Sequence, residues 1–217
     1  MATLTGIESV PKQLVALGVD RNKISIDYAL VPLRARIIFL EKLAQMFDEA
    51  RINGSVAEGG IFQGDFAKEI NRVFPDKTLY LFDAFEGFDK RDVAKEVADG
   101  LSESDTVSYF NATSEEIVKA KLPHPDRCVI KKGYFPETAA GVEDRFCFVN
   151  LDFDLYDPIL AGLEFFYPLM TEGGVILIHD YFNPFYKGVK LAVDGFAKAN
   201  DARLLPVGDG FSIAVLR

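Results

Sequence analysis

Five short apolar runs, each closed by an acid or a glycine and each followed by a stretch of helical period, leave this chain few folds to choose from. The runs end at Glu58, Asp83, Gly133, Asp152 and Asp180. Strands that alternate with helices need right-handed crossovers, and such crossovers build a parallel sheet covered on both faces. The last apolar runs, "RLLPV" and "FSIAVLR", surround Gly208, Asp209 and Gly210 and read as a hairpin, which adds a strand that must run antiparallel. The expected fold is α/β: a Rossmann-like, doubly wound sheet of seven strands, mostly parallel, with one antiparallel strand near the C-terminus.

Helical signals fill the intervals. Residues 33–50 carry Ile37, Leu40, Ala44 and Phe47 at spacings of three and four, and Asn53 with Gly54 ends them. Residues 65–74 put Phe66, Ile70 and Val73 on one face before Pro75. After Asp83 an acidic, irregular stretch reaches about Phe110, and Thr113 to Glu116 then reads as a capping box opening a helix. Asp157 followed by Pro158 reads as an N-cap and first helical residue, and 187–200 shows Val189, Val193, Phe196 and Ala197 on one stripe. The organisation expected is an N-terminal helical segment, 1–52, acting as a cap or in oligomerisation, and one α/β domain, 53–217.

Composition narrows the partners. A net charge of −9 argues against nucleic acid, whose binding relies on clustered Lys and Arg. No apolar run approaches the roughly 18 residues of a membrane span, and the first residues lack the charged and apolar regions of a leader. Cys128 and Cys147, both inside apolar runs, read as buried thiols of a reducing compartment. A cytoplasmic protein that binds a small molecule is the expectation.

In open α/β sheets, ligands bind beyond the carboxyl ends of the strands, where strand order reverses. The first strand ends in Glu58 and opens into Gly59, Gly60 and Gly64, which could allow a tight turn and close approach of a ligand to the backbone. Asp83, at the end of the second strand, suits ribose hydroxyls, and Phe85 or Phe88 could wall an adenine. The glycines lack the spacing of a dinucleotide or nucleotide-phosphate loop. An acid before the first glycine repels a pyrophosphate but attracts a cationic amino-acid group, and this favours S-adenosylmethionine as cofactor.

The fourth strand ends in Asp152 with Asp154 two residues on, and the fifth ends in His179 and Asp180. If those strands are neighbours, Asp152 and Asp180 converge, and carboxylate oxygens suit a hard divalent cation such as Mg²⁺. Asp154 could then be a base. His179 is either a third ligand, a donor behind the ligands, or a residue turned to the opposite face. His124, between two prolines, reads as a surface residue.

Four segments, "VAEGGIFQGDFAKEI", "LYLFDAFEGF", "GYFPET" and "LDFDLYDPILAGLEFFYPLMTEGGVILIHDY", together resemble the macrocin O-methyltransferase (TylF-like) family over about 50–200. The resemblance implies a class I methyltransferase that uses S-adenosylmethionine and a divalent metal, usually Mg²⁺, to methylate a hydroxyl of a sugar or glycoside. A homodimer is a separate expectation. The resemblance also implies Asp152 as a metal ligand, Asp154 as the general base, and the pair closing the fifth strand as further ligands. The first of that pair is His179 here, and an imidazole shifts preference from Mg²⁺ toward Mn²⁺ or a later metal. Two other functions remain open: a catalytically silent S-adenosylmethionine-binding protein, and a nicotinamide-dependent oxidoreductase, which the missing pyrophosphate loop and Glu58 disfavour.

Overall fold

A computed structural model describes residues 4–24, 27–101 and 110–217. Two N-terminal helices, α1 (Leu4–Ala16) and α2 (Asp27–Ala50), precede the first strand, β1 (Ser55–Gly59). Then follow α3 (Asp65–Val73), β2 (Leu79–Asp83), α4 (Lys90–Ala98), α5 (Glu115–Lys121), β3 (Cys128–Lys132), β4 (Phe146–Leu151), α6 (Tyr156–Phe166), β5 (Met170–Ile178), α7 (Lys187–Asn200), β6 (Arg203–Pro206) and β7 (Ile213–Leu216). The strands form one seven-stranded sheet in the order β3-β2-β1-β4-β5-β7-β6. β7 runs antiparallel to both of its neighbours, and the other pairs are parallel.

Both faces are covered, which explains why β4 is buried at all six positions rather than at alternate ones. One face carries Leu40, Leu43 and Phe47 of α2, Phe66 and Ile70 of α3 and Val118 of α5. The other carries Ile159, Leu163 and Phe166 of α6 with Val189 and Val193 of α7. No helix among the described residues is long and apolar enough to cross a membrane.

Local details depart from the sequence expectations at several points. α5 is capped one residue later than the Thr113 box: the Ser114 hydroxyl accepts from the N–H of Ile117 at 3.3 Å, and Thr113 donates its hydroxyl to the Phe62 carbonyl instead. α6 begins at Tyr156, so Asp157 lies inside its first turn rather than at the cap, and its carboxylate takes Lys95 Nζ at 2.5 and 2.7 Å. The acidic stretch after Asp83 contains a helix, α4, opened by Asp89, whose side chain accepts from the N–H of Arg91. Residues 102–109 of that stretch lie outside the described residues. Cys147 is buried, Cys128 is only partly so, and His124 is half-buried, with its N–H donated to Asn71.

α4 matters because it crosses to α6. Leu155, the residue before α6, makes no side-chain cap, and the otherwise unpaired amide of Tyr156 is taken by the buried Glu96 of α4 at 2.6 Å. Gly188 of α7 leaves the room for this carboxylate, since a Cβ there would collide with Glu96 Oε1. Glu96→Ala would orphan a buried N–H at a helix start, so denaturant unfolding is expected to show a loss of about 1–3 kcal/mol. Glu96→Gln keeps the accepting oxygen and should lose less.

Candidate active site

Strand order reverses between β1 and β4, and the ends of these two strands open into a cavity of about 420 Å³. Register brings the acids together. Leu151 of β4 pairs with Ile178 of β5, so the next residues, Asp152 and His179, emerge side by side. The pairing continues past the strands: Asp152 N–H donates to Gly59 O at 2.8 Å and His179 N–H to Leu151 O at 3.0 Å.

The glycines of the β1 loop make this approach possible. Gly60 has φ +79°, and a Cβ there would run into the Asp152 carbonyl. A Cβ at Gly59 would enter the ring of Phe153. Gly60 lines the cavity, whereas Gly59 supports Phe153 and Gly64, at φ +77°, packs on Val118 ahead of α3.

Asp83 lines the cavity, but much of its capacity is already engaged. Its Oδ2 accepts from Ile61 and Phe62 N–H at 2.6 and 3.1 Å, and Oδ1 from Phe85 N–H at 2.6 Å. It therefore pins the glycine loop to the end of β2 and keeps about one of four acceptor sites for a ligand. Phe85 turns into the core at 6% exposure and does not line the cavity, whereas Phe88 does.

Glu58 is buried at the cavity wall, accepts from Asn150 Nδ2 at 2.9 Å, and leaves Oε2 without a partner. Burial, then the charge of Asp152, raises its pKa well above the carboxylate range. An ammonium group in the cavity would satisfy Oε2 and reverse that shift, so the site fits the amino-acid end of S-adenosylmethionine.

Asp152, His179 and Asp180 offer three ligand atoms within 4.8 Å of one another. His179 Nδ1 lies 3.1 Å from Asp152 Oδ1 and 3.2 Å from Asp180 Oδ2, yet neither contact is aligned as a hydrogen bond. His179 thus faces the carboxylates rather than the opposite face of the sheet. Burial opposes charge on this imidazole, but the flanking carboxylates, Asp152 first, outweigh it and push its pKa up to about 9. Three donors aimed at one point, His179 and Asp180 buried and orphaned and Asp152 half-buried, form a set that fits a divalent cation, which would take the place of the imidazole proton.

Asp154 is 6% exposed at φ +63°, with Oδ1 buried and unpartnered. Burial, then the charge of Asp180, raises its pKa well above the usual value. Burial would raise Asp180 too, but the adjacent His179 imidazole, 3.2 Å from Oδ2, and the Asn183 amide donating to Oδ1 hold it below. The two acids are pushed apart, one toward holding a proton and one toward staying ionised.

Arg36 was not legible as a site residue. It reaches in from α2, stacks over the Phe66 ring at 4.2 Å from its centroid, and sets Nη1 3.4 Å from Asp152 Oδ2. Phe211, from the β6–β7 turn, lies against His179 with ring centroids 6.0 Å apart and lines the same cavity.

This strand order, with its reversed β7 and a cavity over the ends of β1 and β4, is that of the Rossmann-like methyltransferases. CalS11, a calicheamicin methyltransferase, superposes with a TM-score of 0.70 at 19% identity, covering 98% of this chain and 91% of that one. The O-methyltransferase NovP gives 0.68 at 21%, covering 84% and 79%. An O-methyltransferase from Bacillus cereus, solved with SAH, gives 0.54 at 15%, covering 97% and 90%. Residues 6–205 match the macrocin-O-methyltransferase (TylF) family, and the chain belongs to it.

A Streptomyces olivaceus protein, 8-demethyl-8-(2,3-dimethoxy-alpha-L-rhamnosyl)-tetracenomycin-C 4'-O-methyltransferase, is 25% identical over 167 residues, or 72% of this chain. The chain spans 64% of the length of that relative.

Proposed function

We propose that this chain is an S-adenosylmethionine-dependent O-methyltransferase acting on a hydroxyl of a sugar or glycoside, with a divalent cation held by Asp152, His179 and Asp180. The observation that carries this reading is the convergence of three donor groups, two of them buried, beside the unpartnered oxygens Glu58 Oε2 and Asp154 Oδ1. A sugar acceptor is supported by relatives: the Streptomyces protein is named for a rhamnosyl tetracenomycin, and CalS11 is described as a TDP-rhamnose 3'-O-methyltransferase.

Glu58 receives the ammonium of the donor, and Gly60 lets the donor lie against the backbone. When bound, the divalent cation supplies charge that lowers the pKa of an acceptor hydroxyl. Asp154 would accept the hydroxyl proton at Oδ1, which has no competing partner, once the positive charge of a bound cation beside it holds the carboxyl ionised. Phe135, Phe153 and Phe211 give the reaction space a mostly apolar wall that limits water.

Label transfer from tritiated S-adenosylmethionine to a panel of rhamnosides and nucleotide-linked sugars tests the reading. Transfer is expected with Mn²⁺ or Mg²⁺, loss is expected on EDTA treatment, and Mn²⁺ should restore more activity than Mg²⁺ because one ligand is an imidazole. Full activity in EDTA would remove the cation's role. Tight S-adenosylhomocysteine binding with no transfer to any hydroxyl would favour a silent binding protein.

A further inference from the structure

The cavity is lined by eight Asp and Glu residues and by one arginine, with no lysine among the described residues. That arginine, Arg36, is 9% exposed. A guanidinium carries five N–H donors in a planar fork and pairs best with a carboxylate through two parallel bonds at about 2.7–2.9 Å. Among the described residues the polar contact of the Arg36 side chain is a single one, to Asp152 at 3.4 Å. Most of the fork is therefore unused.

Asp152 is contested. Its Oδ1 faces His179 and its Oδ2 faces Arg36, so the same carboxylate serves the proposed cation site and the guanidinium. A divalent cation and Arg36 are like charges drawn to one acid, and each weakens the hold of the other. The proposed donor meanwhile brings in an α-carboxylate. Repelled by the acids that line the cavity, that group finds one arginine to pair with. Arg36 is also close to Glu58, the proposed partner of the ammonium on the same amino-acid end: burial and Asp152 push the Glu58 pKa up, and Arg36 pulls it down.

Resting on the proposed function, we infer that Arg36 exchanges partners, holding Asp152 until the donor binds and then turning to the donor's carboxylate, so that donor and divalent cation bind cooperatively. Donor binding frees Asp152 for the cation, and cation binding frees Arg36 for the donor. Linkage makes the effect reciprocal: whatever factor the donor adds to cation affinity, the cation adds to donor affinity. The N-terminal helix α2 thus takes part in the site through a side chain that need not touch the acceptor.

Calorimetry with Mn²⁺ and S-adenosylhomocysteine reads the coupling without turnover. S-adenosylhomocysteine is net neutral, so its overall charge gives Mn²⁺ no general attraction. In the wild type it should tighten Mn²⁺ binding by about 5-fold or more, and Mn²⁺ should tighten it equally. Decarboxylated S-adenosylhomocysteine, a net cation, should not tighten Mn²⁺ binding. Arg36→Met keeps an apolar stem against Phe66, and it should bind Mn²⁺ alone more tightly than the wild type while the coupling falls to about 2-fold or less.

Arg36→Lys, which keeps the charge and lacks the fork, should show weakened S-adenosylhomocysteine binding and reduced coupling; it serves as the test should the methionine variant fail to fold. Wild-type coupling retained in either variant, or equal tightening by the decarboxylated analogue, would overturn the exchange. Independent binding of both ligands to the wild type overturns the exchange alone. A wild type that binds neither ligand overturns the proposed function with it.

Discussion

Asp154→Asn is expected to lower turnover by about 10²–10⁴-fold, the range of a lost general base, with the melting temperature held or slightly raised. The separation of the two effects follows from the residue's surroundings. Asp154 sits at φ +63°, a left-handed conformation that asparagine also tolerates. Burial and then the charge of Asp180 favour its protonated form, so an amide of the same shape replaces a neutral group rather than an anion. S-adenosylhomocysteine affinity should stay within about 2-fold, since the lost interaction belongs to proton removal and not to ground-state binding. Single-turnover kinetics beside thermal unfolding reads both quantities, and a variant that turns over normally would remove Asp154 from the chemistry.

Gly60→Ala should show the largest combined effect. A side chain at φ +79° costs about 1–2 kcal/mol of backbone strain, and forcing its Cβ against the Asp152 carbonyl adds about 1–3 kcal/mol. The expected loss is about 2–5 kcal/mol, or a fall of about 4–20 °C in melting temperature for a chain of this size. The collision is with backbone, which cannot rotate away as a side-chain end can. Relief has to come from moving the β4 loop, and that loop carries Asp152 and Asp154. Mn²⁺ affinity should therefore fall together with stability. Gly100→Ala is the control: its φ is +69° but no atom of the described residues lies within 4 Å of the added Cβ, so it should show the strain without the collision and leave Mn²⁺ binding intact.

The strand-end acids were readable because strands buried on both faces are continuous apolar runs, and a run that stops in an acid marks the rim of the sheet. Glu58, Asp83, Asp152 and Asp180 all stand at such stops. Their meeting was readable only conditionally, because strand order is a property of the whole sheet. The parallel pairing of β4 with β5 brings Asp152 beside His179.

What sequence did not disclose was mostly long-range. Helix α4 has few apolar residues, and two of its acids, Asp92 and Glu96, are buried because they find partners in Tyr134 and in the Tyr156 amide. A periodicity argument counts buried acids as exposed ones. Asp157 reads as a helix cap by residue type, but the capping amide next to it is taken by Glu96, leaving Asp157 to pair with Lys95. Phe85 and Phe88 are alike in sequence; the left-handed backbone at Phe85, fixed by its N–H on Asp83, accompanies the turn of its ring into the core. Arg36 gave no signal at all. An arginine between the apolar positions of a long helix looks like a solvated residue until the helix is docked.

The account rests on a donor cavity and a cation site that share a wall at Asp152. Anomalous diffraction from crystals grown with Mn²⁺ and S-adenosylhomocysteine tests this most directly. The predicted result is a manganese peak at about 2.0–2.4 Å from Asp152, His179 and Asp180 atoms, with the amino-acid end of S-adenosylhomocysteine against Glu58. A manganese peak elsewhere, or S-adenosylhomocysteine bound with no metal density between those three residues, would contradict it.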